Sequence, residues 1–490
     1  MFWSDRVAGA RRRDAAQEVS VNGGASLPDP IGSAPETAPP VLAAPRVEMR
    51  PEGWRLVDRR GILKAAGMAA AAAPAAALLA ACGGGSGGGE ARKVRIGMVS
   101  PRTGALRSYA DVDSHVVESM NTIFADGTRV GRNTLPVEIF VRDGQSDRNR
   151  AAAAAADLIF VDNVDIVLVG GGADNVNPVS DVCEAQGVPC LSTSVPWEAW
   201  FYSRGGKAET PFSWTYHVYW GMAELRGAYR AMWRALDVPH SVALLLPNNQ
   251  EGEAFNNAAY GLSKLTDDGF QIAGTHRYNV GDQSFGTFVD GIVSNKVSII
   301  AGNPSITDFS AFWKLLNEKD YKPHIVTLSS TLLFPTDVEA LGLAADGFTT
   351  EVGWSPKFQY RSYLTKRTAE ELANEFDMGT WSQPLGFIHA LFEIVAQALE
   401  SVDSIDDRSA VAAAIAGVQA STIVGNVSFN NAPNTGIPKN VATVPLAGGK
   451  WTKQQSSSVP YALHVVEANG LTLAADADST RMVDLQSINT

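Results

Sequence analysis

The sequence predicts an α/β protein of two Rossmann-like lobes with parallel sheets, joined by a hinge that the chain crosses more than once. Three observations carry this expectation. The chain has 490 residues, 45% of them apolar, which exceeds what one hydrophobic core normally holds. From Lys93 onward, short β-rich runs alternate with stretches of helical periodicity. The alternation comes in two series with an aromatic-rich band between them.

In the first series Val94–Val99 is a strand, and Ala110–Phe124 a helix with Val112, Val116, Met120 and Ile123 on one face. Strand Val137–Val141, the Ala-rich helix Arg148–Phe160 and the apolar strand Asp165–Val169 follow, the last running into three glycines. Helix Val176–Gln186 then leads to strand Val188–Ser192. The second series has helix Met222–Leu236, strand Ser241–Leu246, helix Gly252–Gly269 and strand Gln271–Thr275. Helix Ser284–Asn295 and strands Val297–Gly302 and His324–Leu328 complete it. A long helix, Gln383–Leu399, and a strand-rich tail follow, so the chain returns after the second sheet. Strands buried under helices on both faces are expected to be parallel.

The N-terminal region reads as an address. Residues 1–58 have no sustained apolar periodicity and read as disordered. Arg59-Arg60 then precedes an alanine-rich run, Ala65–Ala81, which resembles a twin-arginine export signal. Leu79-Ala80-Ala81-Cys82 resembles a bacterial lipobox, which implies lipidation of Cys82 as the mature N-terminus. Residues 83–91 form a Gly/Ser tether that lets the folded part reach away from a bilayer. Gly84-Gly85-Ser86-Gly87-Gly88 fits a hydrolase elbow pattern, but it lies in this tether and not between a strand and a helix.

Charge narrows the partners. The net charge is −12, and residues 91–490 hold 43 acidic against 30 basic groups. Such a surface repels nucleic acid and anionic membrane, and no basic stripe occurs. The three cysteines, Cys82, Cys183 and Cys190, form no paired CxxC elements, so no zinc site and no cofactor is expected. Cys183 and Cys190 flank a helix-to-strand turn. Export permits a disulfide there, whereas folding in a reducing cytoplasm leaves thiols, and the sequence leaves both open.

In open parallel sheets ligands sit at the carboxyl ends of strands. That rule selects Thr103–Tyr109, Gly171–Asn175 and Ser192–Trp197 in the first lobe. In the second lobe it selects Asn248–Glu251, Gly302–Ser305 and Ser329–Ser330. Between 197 and 220 lie nine aromatic rings, including Trp197, Tyr216 and Tyr219, and Trp354 belongs to a later return. Most of these rings are expected to pack the hinge. One or two, with Glu198, Glu251 and Glu351 nearby, are expected to line a pocket and cage a cation.

The assembled stretches resemble type I periplasmic binding proteins, in the branch with leucine/isoleucine/valine-binding proteins. The matching pieces are Val94–Val99 with Ser100-Pro101-Arg102-Thr103-Gly104, Asp165–Gly170, 178–192, 242–255, 345–356, 385–399 and 423–436, in family order. The resemblance implies a two-lobe clamp with three hinge crossings: residues 92–216 plus 357–440 in one lobe, 217–356 plus 441–490 in the other. It implies ligand contacts from Tyr109, Asp174, Asn175 and the Ser192-Thr193-Ser194 loop. Glu251, Asn303 and Ser330 are implied from the second lobe. Thr103, Trp197, Tyr216, Tyr219, Glu351 and Trp354 complete the candidate set on position and aromatic density.

No HExxH, Walker A loop or strand-to-helix nucleophile occurs, and the seven histidines are scattered. A binder is therefore expected over an enzyme. The expected role is the substrate-binding component of an ABC importer that takes an amino acid, amide or related zwitterion by hinge closure and passes it to a membrane permease. The alternative is a sensor lobe of the same fold.

Overall fold

The computed structural model describes residues 92–488 except 377–379, 456–459, 476, 478 and 479. The expected export signal, tether and Cys82 lie outside the described residues.

Two sheets organise the chain. The first has six parallel strands in the spatial order Val441–Ala442, Thr215–Val218, Cys190–Ser192, Ile166–Val169, Val94–Ser100 and Val137–Asp143. Its inner strands are buried along nearly their whole length, and Ile166–Val169 is wholly apolar, because helices cover both faces. Helix Arg148–Phe160 starts at Asp147, whose carboxylate accepts from the Asn149 and Arg150 amides. The alanine stripe of that helix (Ala151, Ala154, Ala155) then allows close approach to the sheet.

The second sheet has seven strands. Five are parallel, in the order Thr349–Val352, Ile325–Leu328, Ile299–Gly302, Ser241–Pro247, Gln271–Tyr278. Ala447–Lys453 and Tyr461–Glu467 extend its edge antiparallel, because the link between them is too short for a crossover helix.

The chain passes between the sheets three times: after Val218, between Val352 and helix Pro384–Leu399, and between Ala442 and Ala447. The strands of the first sheet thus run two residues beyond the boundaries expected at 216 and 440. Helix Pro384–Leu399 is buried on nearly every face, packed against helix Asp113–Ile123 and helix Arg408–Gly417.

One expected element differs. The helix anticipated over 252–269 stops at Asn256, after Gln250–Asn256, and a 3-10 helix occupies Leu262–Asp268. Asn257 takes an extended conformation, and its side chain accepts from the Ala259 amide, a local turn that competes with helix continuation.

The hinge is filled by rings. Tyr219 packs on Trp220 and Phe387 with centroids 4.8 Å away in each case, and the fully buried Trp354 meets Trp381 at 5.6 Å. The largest apolar cluster runs through this region and joins residues of both lobes.

Candidate functional site

The carboxyl ends of the two sheets face each other across a cavity of about 620 Å³. Its first-lobe wall is 104–109, Ser146, Ala173 and Asp174. Its second-lobe wall comes from the loops after four successive strands: Pro247 to Glu251, Val280 and Gly281, Asn303 to Asp308, and Ser330 to Asp337. Three serines at strand ends, Ser146, Ser194 and Ser330, hold φ of 52°, 65° and 52°. Non-glycine residues rarely hold such angles, and such strain gathers where loops build sites.

Several contacts tie the lobes together around this cavity. Glu251, in the first turn of helix Gln250–Asn256, reaches across so that its Oε1 accepts from the Ala173 amide at 2.8 Å, at the start of helix Ala173–Gln186. Beside it Gln250 Oε1 accepts from Asn177 Nδ2 at 2.7 Å and Arg148 Nη1 at 3.1 Å. Ser108 donates to Asp337 at 3.3 Å, and the Tyr109 and Phe334 rings meet edge-on at 4.7 Å. Leu106 and Leu333 complete that apolar contact.

The wall is acidic. Burial pushes the Glu251 carboxyl up to about 7, with nearby Asp174 adding to the shift and the Ala173 amide opposing it. Burial likewise raises Asp337 to about 6, against the Ser108 hydroxyl. Tyr109 is held far above its ordinary value, first by burial and then by Glu251. Asn303 is 4% exposed on the cavity wall, and its Oδ1 accepts no hydrogen bond among the described residues.

Of the residues selected from sequence, Tyr109, Asp174, Glu251, Asn303 and Ser330 lie on this wall. Asp174 is paired with Arg148 at 2.9 Å. The others point elsewhere. Thr103 donates to Asp143 just outside the cavity. Asn175 is buried beneath the loop and donates to the Gly170 carbonyl. Ser192 and Thr193 turn inward, donating to the Tyr216 and Val218 carbonyls, while Ser194 accepts the Gly172 amide through its own carbonyl. Glu351 lies buried behind the wall, where Ser329 and Tyr229 donate to it; burial raises it to about 7.

None of the nine rings of the aromatic band lines the cavity, which corrects the expectation that one or two would. Tyr216 donates to the Ala412 carbonyl inside the first lobe, and Tyr219 and Trp354 pack the hinge. Trp197 sits at the hinge, its backbone amide bonded to the Trp220 carbonyl. Ring density in sequence marks apolar bulk, and here the hinge needs that bulk more than the wall does.

Ser146, Asp308, Phe334 and Asp337 are wall residues that the sequence reading missed, whereas Leu106 lies within the selected 103–109 loop. The strand-end rule would have reached Ser146, which follows strand Val137–Asp143. Phe334 and Asp337 lie further along the loop and helix after Leu328, where no periodic signal reports interlobe contact.

Cys183 and Cys190 are both free thiols buried in the first lobe's core, so the disulfide that export would allow is not formed. They act there as small apolar side chains. A buried Ser–His contact also exists, Ser192 Oγ to His217 Nδ1 at 2.8 Å. His217 is stacked on Trp200, hydrogen bonded to the Val195 carbonyl, and held down to about 3 by burial, so it supports the strand and not a nucleophile. No group of three or more His, Cys, Asp or Glu among the described residues is placed to hold a metal ion.

Two lobes on wholly or largely parallel sheets, three crossings and a cavity between strand ends define a two-lobe binding protein. Residues 93–450 match the periplasmic binding protein family, and the chain belongs to it. This is a family of solute-binding proteins and not of enzymes. The chain is similar in fold to the leucine-binding protein LivK of Thermotoga maritima, at 15% identity and TM-score 0.59, over 76% of this chain and 98% of that one. It is likewise similar to a solute-binding protein from R. palustris in complex with benzoate, at 12% identity and TM-score 0.58, over 79% and 99%. LivJ of Streptococcus pneumoniae, in complex with isoleucine, matches at 13% identity and TM-score 0.58, over 77% and 100%. Comparison with curated proteins gives no match.

Proposed function

We propose that the chain is the substrate-binding component of an ABC importer, capturing a small polar solute between its lobes and presenting the closed form to a membrane permease. The observation that carries this reading is the cavity walled by the strand ends of both sheets, bridged by Glu251, Gln250 and the Tyr109–Phe334 contact. Solute held by both walls stabilises the closed arrangement, and part of its binding free energy is used to bring the lobes together. The solute expected from sequence is an amino acid, an amide or a related zwitterion. Similar folds in complex with isoleucine and with benzoate support a small organic ligand.

The same reading takes the protein as exported and anchored outside the cytoplasmic membrane by lipid on Cys82, with residues 83–91 as tether. A thermal-shift screen over amino acids, amides, betaines and aromatic acids tests the solute-binding role. A true ligand at about 100 times its Kd adds about 2.7 kcal/mol to stability. Absence of stabilisation by every member of that panel would sink the reading.

A further inference from the structure

The cavity wall has a charge pattern that narrows the solute. Four carboxylates stand on it, Asp174, Glu251, Asp308 and Asp337. Among the described residues Arg107 is the one cation there, exposed at the start of the 3-10 helix Arg107–Ala110, where it attracts Asp337 without forming an ion pair. Asp174 is taken by Arg148, whereas Glu251, Asp308 and Asp337 form no ion pair among the described residues. Carboxylates enclosed by protein without a counter-ion are unfavourable unless something else supplies the charge.

The position of Glu251 adds a second constraint. The start of helix Ala173–Gln186 is where backbone N–H groups and the helix dipole would receive an anionic group of a solute. Glu251 Oε1 already holds the Ala173 amide there. A solute carboxylate at that point would meet both an occupied donor and a like charge. An acceptor is left open as well: Asn303 Oδ1, buried on the same wall, has no donor among the described residues. Tyr109 and Phe334 add ring surface of the kind that favours a positive charge.

We propose that the interlobe cavity selects a small organic cation without a free carboxylate, with Glu251 joining the lobes and supplying the countercharge. The inference rests on the solute-binding reading and departs from the amino-acid class expected from sequence, since an amino acid carries the carboxylate that this wall disfavours. Asn303 Oδ1 accepts an N–H or hydroxyl of the solute, and Asp337 provides a second negative pole.

The test is isothermal titration of the full-length protein with agmatine, choline and putrescine, against leucine as zwitterion and benzoate as anion. The expected result is that at least one cation binds ten-fold or more tightly than leucine or benzoate. Glu251→Gln and Asp337→Asn should each weaken that cation at least ten-fold, and Asp337→Asn keeps the test open if Glu251→Gln folds poorly. Tighter binding of leucine or benzoate than of every cation would overturn the charge assignment and leave the solute-binding reading standing. Unchanged cation affinity in both variants would also overturn it. Failure of every solute, whatever its charge, would overturn both.

Discussion

Glu251 Oε1 accepts a hydrogen bond from the backbone amide of Ala173 at 2.8 Å, so a carboxylate of the second lobe caps the first helix of the ligand wall in the other lobe. A carboxylate from the other direction has the same role at the hinge. Glu198, buried beside the first sheet, accepts from the Met222 amide at the start of helix Met222–Trp233. Each lobe therefore places an acid at a helix start of the other, and both acids are raised by burial, Glu251 to about 7 and Glu198 to about 8.

These shifts fix a direction for pH dependence. A carboxyl raised in the folded state binds its proton more tightly there than in the unfolded chain. Stability is then fullest below the unfolded value, 4.5 for a glutamate, and is lost as pH rises through the folded value near 7 or 8. Glu351 and Asp113, both raised to about 7 by burial, act in the same sense. The melting temperature is expected to fall by several degrees between pH 5 and pH 8. In Glu251→Gln the slope between pH 4.5 and 7 should flatten. A melting temperature that rises across the whole range would contradict the assignment.

The Tyr109–Phe334 contact should act on closure more than on folding. The two rings come from different lobes and form a small cluster with Leu106 and Leu333. Tyr109→Ala removes an aromatic pair contributing about 1 kcal/mol beyond its buried area. Small-angle scattering should show a larger radius of gyration for the variant, with a melting temperature within a few degrees of the parent. An unchanged radius would mean that other bridges, such as Glu251 to Ala173, suffice to hold the lobes.

Trp197→Ala should behave differently. Trp197 is 7% exposed and packs at the hinge, so close to Gly221 that a Cβ there would lie 2.1 Å from the indole Nε1. Truncation leaves a void in a packed core and is expected to destabilise by about 3 kcal/mol. Chemical denaturation should show the loss, and what solute binding remains should scale with the folded fraction. A stable Trp197→Ala protein with selectively lost binding would return this ring to the site.

Much of this architecture was legible because it is written in local periodicity. Val94–Val99 and Asp165–Val169 read as buried strands from their residues alone, within one residue of the strands Val94–Ser100 and Ile166–Val169, and the strand-end rule led directly to Tyr109, Glu251, Asn303 and Ser330. The break at Asn257 was hidden because a single Asx turn can end a helix whose apolar pattern continues to Leu265. The partners of Tyr109 and Ser108, Phe334 and Asp337, lie more than 200 residues away in sequence and meet them only through lobe closure. Aromatic density between 197 and 220 misled for a related reason: sequence counts rings and does not say which way a hinge turns them.

Two glycine substitutions separate backbone constraint from mere glycine content. Gly302 ends strand Ile299–Gly302 with φ +152°, and a Cβ there would sit 2.0 Å from the Leu245 carbonyl oxygen, a backbone atom of the neighbouring strand. Because Leu245 is paired in the sheet, neither side can yield without breaking the ladder beside Asn303. Gly302→Ala is therefore expected to lower stability by more than about 2 kcal/mol and to displace the Asn303 acceptor from the cavity wall. Gly291 lies within helix Gly286–Ser294, and nothing stands within 4 Å of its would-be Cβ. Gly291→Ala should raise stability by about 0.5–1 kcal/mol through helix propensity alone. Urea denaturation of the pair checks both signs, and a neutral Gly302→Ala would mean that the strand end is freer to move than its geometry implies.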